Sequence, residues 1–137
     1  MSLGIPLNTD STLKGQTVFL AERCGELMHD NIITDRTILD VMAFTLNAKS
    51  IPHQDKDAFE TYASEFIREY DYIFYISPHG LKIEDNGVRE TDEHYRDLID
   101  FTITTLIKRH GHKAGKIEKI SGSTEERIQQ ILNITSL

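Results

Sequence analysis

Three short segments of this 137-residue chain combine residue types that could handle phosphate and hydroxyl groups. The first is Thr34-Asp35-Arg36, directly behind the apolar pair Ile32-Ile33. A carboxylate beside a guanidinium can order a hydroxyl and neutralise a phosphate together. The same dipeptide also serves as an ion pair or helix cap at a strand-to-helix turn, and the residues alone leave both readings open. The second segment is IEDNGVRETDEHYR, which offers Arg89 and Arg96, with Lys82 before them. Arg89 closes a glycine-containing loop and Arg96 falls in the first turns of the helix behind it. That layout suits a lid whose arginines grip a transferring phosphoryl group, and equally a solvated loop with scattered charge. The third is Ser121-Gly122-Ser123-Thr124, whose backbone could cradle a base or ring, or simply cap a helix.

Elements that must position these segments are set by the hydrophobic periods. Leu13, Thr17, Leu20, Ala21, Cys24, Leu27 and Met28 recur at helical spacing, with Asp10 or Ser11 as the expected N-cap. Asn31 to Thr34 is β-branched and reads as a buried strand. Thr37-Ile38-Leu39-Asp40 has capping-box form and opens a helix to about Asn47. After Pro52, the spacing of Phe59, Tyr62, Ala63, Phe66, Ile67 and Tyr70 predicts a second helix with one buried aromatic row. Tyr72 to Ser77 is nearly all apolar, as in a strand covered on both faces.

A polar loop from Pro78 to Thr91 leads into a helix that begins with Asp92 and Glu93 and ends at Lys108-Arg109-His110 before Gly111. Those charges complement the helix dipole at both ends. Lys116 to Ile120 predicts a third strand, and Ser123-Thr124-Glu125-Glu126 caps a last helix with Ile128, Ile131 and Leu132 turned inward. The order α-β-α-α-β-α-β-α implies an α/β fold, a parallel sheet with helices on both faces as a three-layer sandwich. Ligands of such sheets bind beyond the carboxyl ends of the strands. All three segments are expected there.

Composition narrows the setting. Fifteen Lys and Arg against 22 Asp and Glu give a net charge of −7, and 39 % of the residues are hydrophobic. A chain of this length and balance is expected to be one soluble domain, 1–137, without general affinity for nucleic acid. No apolar run reaches the ~20 residues that cross a bilayer, and MSLGIPLNTD lacks the features of a signal peptide. The one cysteine, Cys24, fits a reducing cytoplasm and falls on an apolar stripe as a small hydrophobe. His110-Gly111-His112 lacks the third-ligand context of a dedicated metal site, so no metal is assigned.

The segments NIITDRTILDVMAF (31–44), YDYIFYISP (70–78), DNGVRETDEHYR (85–96) and ISGSTEERIQQI (120–131) form one recognisable series. In them the chain resembles P-loop kinases of nucleoside-type substrates. The likeness is to the AAA-type ATPase/kinase group that includes ribosylnicotinamide kinase domains, with thymidylate and deoxynucleoside kinases more distant. It extends over nearly all of residues 11–132. The resemblance implies that Asp35 orients or deprotonates the acceptor hydroxyl and that Arg36 binds near the acceptor or its phosphate. It makes Arg89 and Arg96 lid arginines on the donor phosphates, Asp40 and Lys82 substrate-binding, and Ser121, Gly122 and Ser123 the wall against adenine. ATP and Mg²⁺ are the cofactors it implies.

One part of the family pattern is missing. Its first strand and Gly-x-x-x-x-Gly-Lys-Ser/Thr loop have no counterpart here, and Thr12-Leu13-Lys14-Gly15 lacks the spacing. In the resembled fold that strand lies between the strands expected at 31–34 and 72–77. Without it those two are separated by ~9.5 Å, twice the ladder spacing, which hydrogen bonds do not span. Three outcomes are open: another polypeptide supplies the strand, the flanking strands pair directly, or the chain is a fragment of a split kinase. The chain alone is then expected to lack kinase activity. The expected partner is a second chain carrying the phosphate loop, or further copies of this chain covering the gap. The alternative is a non-enzymatic nucleotide- or protein-binding remnant of the fold.

Overall fold

Thr12 begins the first helix, its hydroxyl accepting the Gly15 N–H at 3.0 Å, and α1 runs Leu13–Glu26. The computed structural model describes residues 10–78 and 93–136. Lys82, Arg89 and most of the lid expected at 78–91 therefore lie outside the described residues, as do Thr91 and all but the last residue of the N-terminal arm expected at 1–10.

Helix α2 (Ile38–Leu46) carries apolar residues nearly all round, so it is driven to the centre rather than to a surface. Ile38, Leu39, Val41, Met42 and Ala43 are all buried. Its capping box forms as expected: Thr37 accepts the Leu39 N–H at 3.1 Å and Asp40 accepts the Thr37 N–H at 2.8 Å. Helix α1 lies against α2, where buried Gln16 donates to the Thr45 hydroxyl at 2.9 Å. Helix α3 (His53–Ala63) also packs on α2, and the chain continues as a 3₁₀ helix, Ser64–Glu69.

Strand β1 (Tyr72–Ile76) comes next, and strand β2 (Lys116–Ile120) pairs with it in parallel, Tyr72 opposite Lys116 and Ile76 opposite Ile120. The connection between them contains helix α4 (Glu93–His110), which makes a βαβ unit. Helix α4 covers the sheet face bearing Ile73, Tyr75 and Ile117. Ile73 and Ile117 join the same core as Ile99, Ile103, Leu106 and Ile107 of α4. At the end of α4, Arg109 and His110 reach Glu60 of α3 at 2.6 and 2.7 Å. Helix α5 (Thr124–Thr135) closes the described chain, with the capping box between Ser123 and Glu126.

Among the described residues the fold is therefore mixed α/β, with five α-helices and a two-stranded parallel sheet. Several expectations change. Residues 31–34 form no strand: Asn31 has φ of 56°, and Ile32 and Ile33 are 42 % and 88 % exposed. Direct pairing of 31–34 with 72–77 is thus not how the chain is built. Of the stripe expected on the first helix Leu20 is buried, whereas Leu13, Thr17, Ala21 and Met28 are exposed, Met28 where α1 has already ended. The buried face is Phe59, Ala63, Ile67 and Tyr70 rather than one aromatic row, and it carries through the change to 3₁₀ geometry at Ser64. Phe59 and Tyr70 are buried while Tyr62 is exposed and meets Phe66 edge-on. Strand β1 is not covered on both faces, and Ile128 and Leu132 of α5 are exposed rather than inward.

Candidate functional site

The register of β1 and β2 decides which of the three segments meet. Ile76 and Ile120 are partners at the carboxyl end of the sheet, so Ser77-Pro78 and Ser121-Gly122-Ser123 leave it side by side. Helix α4 runs back from that end. Tyr75, next to last in β1, donates its hydroxyl proton to Asp100. Arg96, one turn earlier on α4, therefore lies nearer the carboxyl end than Asp100 does. Its side chain is half-buried, with Nε out of contact with solvent and 3.9 Å from Asp97 Oδ1.

The Ser121–Ser123 turn is a built structure. Gln130, reaching back from α5, accepts the Ser121 N–H at 3.2 Å and donates to the Ser121 carbonyl at 2.6 Å. Ser123 N–H goes to Glu126 Oε1 at 2.9 Å, and Ser123 Oγ accepts the Glu126 N–H at 3.1 Å. These bonds hold the Glu126 carboxylate below its ordinary range, the backbone bond first. Gly122 has φ of 100°, and a Cβ there would sit 2.9 Å from Glu126 Oε1. The glycine is thus required both by conformation and by the cap. Ser123 is committed to capping α5, which leaves the Gly122 peptide as the portion of this turn these bonds do not engage.

The Asp35–Arg36 segment is placed differently. It lies in an irregular turn before α2, not at a strand end, and both side chains are exposed. Thr34 Oγ1 donates to the Arg36 carbonyl at 2.7 Å, which shapes the turn. Among the described residues no hydrogen bond or ion pair joins this turn to Ser121–Ser123. What stands near it is a polar group at the joint of three elements. The largely buried Asp40 carboxyl is raised in pKa by burial, opposed by the N–H groups it accepts and by the charges of Arg36 and Arg23. Tyr70 accepts the Ile38 N–H at 3.1 Å, and burial foremost pushes its phenol up to about 12. Arg23 pairs with Glu26 at 3.3 Å, and both charges act on Tyr70.

Sequence reasoning named Arg36 and Asp40 of this group but missed Arg23, Glu26 and Tyr70. Arg23 and Glu26 are spaced i,i+3 in the last turn of α1, which marks only a helix-end ion pair. Tyr70 falls within the aromatic row, whose spacing hides a hydroxyl that leaves the row for a helix N-terminus.

Chemically, the sheet end offers a guanidinium and a glycine peptide, and the α2 entry offers an exposed carboxylate–guanidinium pair. Among the described residues no three His, Cys, Asp or Glu side chains are grouped to hold a metal ion. Among them, too, no helix is long and apolar enough to cross a membrane. Compared with protein-family models, curated proteins and solved structures, the chain matches none.

Proposed function

We propose that this chain is the acceptor-binding and lid portion of a small-molecule kinase of nucleoside or nucleotide type, moving the γ-phosphoryl group of ATP once a second polypeptide supplies the phosphate loop. One observation carries the reading most: a parallel β1–α4–β2 unit that sets the start of the 78–91 segment, the Gly122 turn and the first turns of α4 at one end of the sheet. Ligands of parallel sheets bind at that end. In this reading β1 and β2 belong to a larger three-layer sheet, and Asp35 and Arg36 act from the exposed turn before α2. Asp35 would orient the acceptor hydroxyl, Arg36 would sit by the acceptor phosphate, and Arg89 and Arg96 would neutralise charge on the transferring group. Asp40 and Lys82 would line the acceptor pocket, and the Ser121–Ser123 turn would border adenine. Mg²⁺ accompanying ATP would be held by the loop-bearing partner, through the Ser/Thr hydroxyl that closes such a loop.

A second reading, a non-enzymatic nucleotide- or protein-binding remnant, is favoured by the position of Asp35 and Arg36 in an exposed turn that belongs to no strand. ATP turnover with nucleoside acceptors separates the two. The kinase reading expects none from the chain alone and turnover when a loop-bearing polypeptide is added. Turnover by the isolated chain overturns the requirement for a partner. Nucleotide binding without turnover in any mixture supports the remnant.

A further inference from the structure

The ladder between β1 and β2 uses only half of the backbone groups of β1. Gly115 N–H donates to the Tyr70 carbonyl at 2.9 Å, in step with the pairing of Tyr72 with Lys116. In a parallel ladder alternate residues turn their N–H and C=O to the same neighbour. Tyr70, Tyr72, Phe74 and Ile76 therefore face β2, and Ile73 and Tyr75 turn theirs the other way. Among the described residues those outward groups have no backbone partner. A parallel sheet ending in such an edge is a template for another strand.

The uncovered face of the same strand adds a second requirement. Helix α4 fills the Ile73/Tyr75 side, whereas Tyr72, Phe74 and Ile76 stand on the other. Tyr72 and Phe74 stack with centroids 6.0 Å apart and planes 4° from parallel, and Tyr72 and Ile76 are each 40 % exposed. None of these three belongs to the core. Helix α5 contacts β2 here, where Ile120 on the same face is buried, but α5 has no buried residue of its own, and Ile128 and Leu132 of its apolar stripe are exposed. Parallel sheets are ordinarily covered on both faces, because each crossover lays a helix against one of them.

We propose that the outer edge of β1 and its Tyr72–Phe74–Ile76 face together receive a strand–helix unit from a different polypeptide: an apolar strand parallel to β1, then an amphipathic helix laid beside α5. The strand supplies partners for Ile73 and Tyr75, and its helix has only the uncovered face to occupy because α4 fills the other. A second copy of this chain fits less well. Two copies joined edge to edge would merge two uncovered faces into one larger apolar surface and cover neither. The inference deepens the proposed function by naming where its partner docks and with what elements, and it rests on that reading for the partner's chemistry.

Two synthetic peptides test it. Each has an apolar strand of about five residues and an amphipathic helix of about 14. One joins them by a Gly-x-x-x-x-Gly-Lys-Ser loop and the other by a neutral glycine–serine linker. With the isotope-labelled full chain, both peptides are expected to slow amide exchange at Ile73 and Tyr75 at least tenfold. Ile76→Lys and Phe74→Lys, checked for fold by circular dichroism, are expected to weaken binding at least tenfold. Ile76 is already partly exposed, so its variant keeps the test open should Phe74→Lys unfold. Binding that leaves these amides unprotected, or that Ile76→Lys leaves unchanged, overturns the proposal, as does no binding at all. Protection of the same amides without peptide, with a dimer in sedimentation, assigns the edge to a second copy and overturns it too. Docking of both peptides without ATP turnover in any mixture overturns the kinase reading and leaves the docking site standing.

Discussion

The hydroxyl of Tyr75 on β1 is bonded to the carboxylate of Asp100 on α4, and this pair sets the helix against the strand. A phenol given to a carboxylate is a charge-assisted bond, and its partner is expensive to leave behind. Tyr75→Phe is expected to lower unfolding free energy by about 1–3 kcal/mol. The urea midpoints of Tyr75→Phe, Asp100→Asn and the double variant should show coupling; strictly additive losses would mean that the bond contributes nothing. The phenol is pushed up to about 12, by burial first and by Asp100 next. The folded state thus holds this proton more tightly than the unfolded chain. Its contribution is complete below the ordinary value of 10 and is lost as pH rises towards about 12.

Tyr70 does a different job with the same group. The N–H of Ile38 is the first in α2 and has no carbonyl within the helix to meet, so the Tyr70 hydroxyl accepts it. Ile38 is fully buried, which keeps water from substituting. Tyr70→Phe should cost about 1–3 kcal/mol in chemical denaturation. It should also remove one of the phenols that titrate near 12 when absorbance is followed in alkali. An unchanged midpoint would assign the Ile38 N–H another acceptor.

These two tyrosines show where the sequence can be read and where it cannot. Both capping boxes, β2 and the basic end of α4 are legible because each is written in a few neighbouring residues and needs no distant partner. Residues 31–34 mislead for the opposite reason. β-Branched residues fit a pleated surface, yet a strand exists only beside another strand, and none is present for Ile32 and Ile33 among the described residues. Likewise, the apolar run of β1 correctly marks a strand but cannot tell that one face is left to Tyr72 and Ile76. Of the candidate site, the Gly122 turn is legible as a cap and Arg96 as a helix residue. The Asp40–Tyr70–Arg23 grouping is not, since three elements meet there from distant parts of the chain.

Acid should loosen the tie between α3 and α4. Glu60 accepts from both Arg109 and His110, and it is mostly shielded from solvent. Burial would raise its pKa, but the two hydrogen bonds and charges outweigh that and hold it below its ordinary 4.5. A carboxylate with a depressed folded pKa stabilises above its unfolded value, and that contribution goes as pH falls from about 4.5. Wild-type protein and Glu60→Gln, unfolded in urea at pH 5.5, 4.5 and 3, should differ most at pH 5.5 and converge towards pH 3. A gap that is constant across the three would remove Glu60 from the acid response.

For the kinase reading, the lid arginines carry the sharpest expectation. In a mixture that turns over ATP, Arg89→Ala and Arg96→Ala should each lower the transfer rate by about 10²–10³, as loss of a single preorganised donor does elsewhere. Arg96 is half-buried, so its variant is judged only after its fold is confirmed by circular dichroism. Asp35 is exposed, and Asp35→Asn should reduce the rate without altering the urea midpoint. Rates unchanged by all three would sink the assignment of these residues to transfer.

Two glycines should respond in opposite directions to the same methyl group. Gly115 stands where β2 enters beside Asp71, and a Cβ on it would lie 2.4 Å from the Asp71 carbonyl oxygen, with two more backbone atoms at 3.1 and 3.2 Å. All three belong to the main chain, so relief requires the start of β1 or of β2 to move, and the Gly115–Tyr70 hydrogen bond would be stretched with it. Gly115→Ala is therefore expected to destabilise by about 2 kcal/mol or more, as overpacking against backbone does. Gly25 is exposed in α1, and a Cβ there meets nothing within 4 Å. Alanine at that helical position restricts the unfolded chain and adds no clash, so Gly25→Ala should stabilise by about 0.5–1 kcal/mol. Thermal or urea unfolding of the pair decides the point. If Gly115→Ala were as stable as the parent, β1 and β2 could not be joined in the register that places the Ser77-Pro78 and Gly122 segments together.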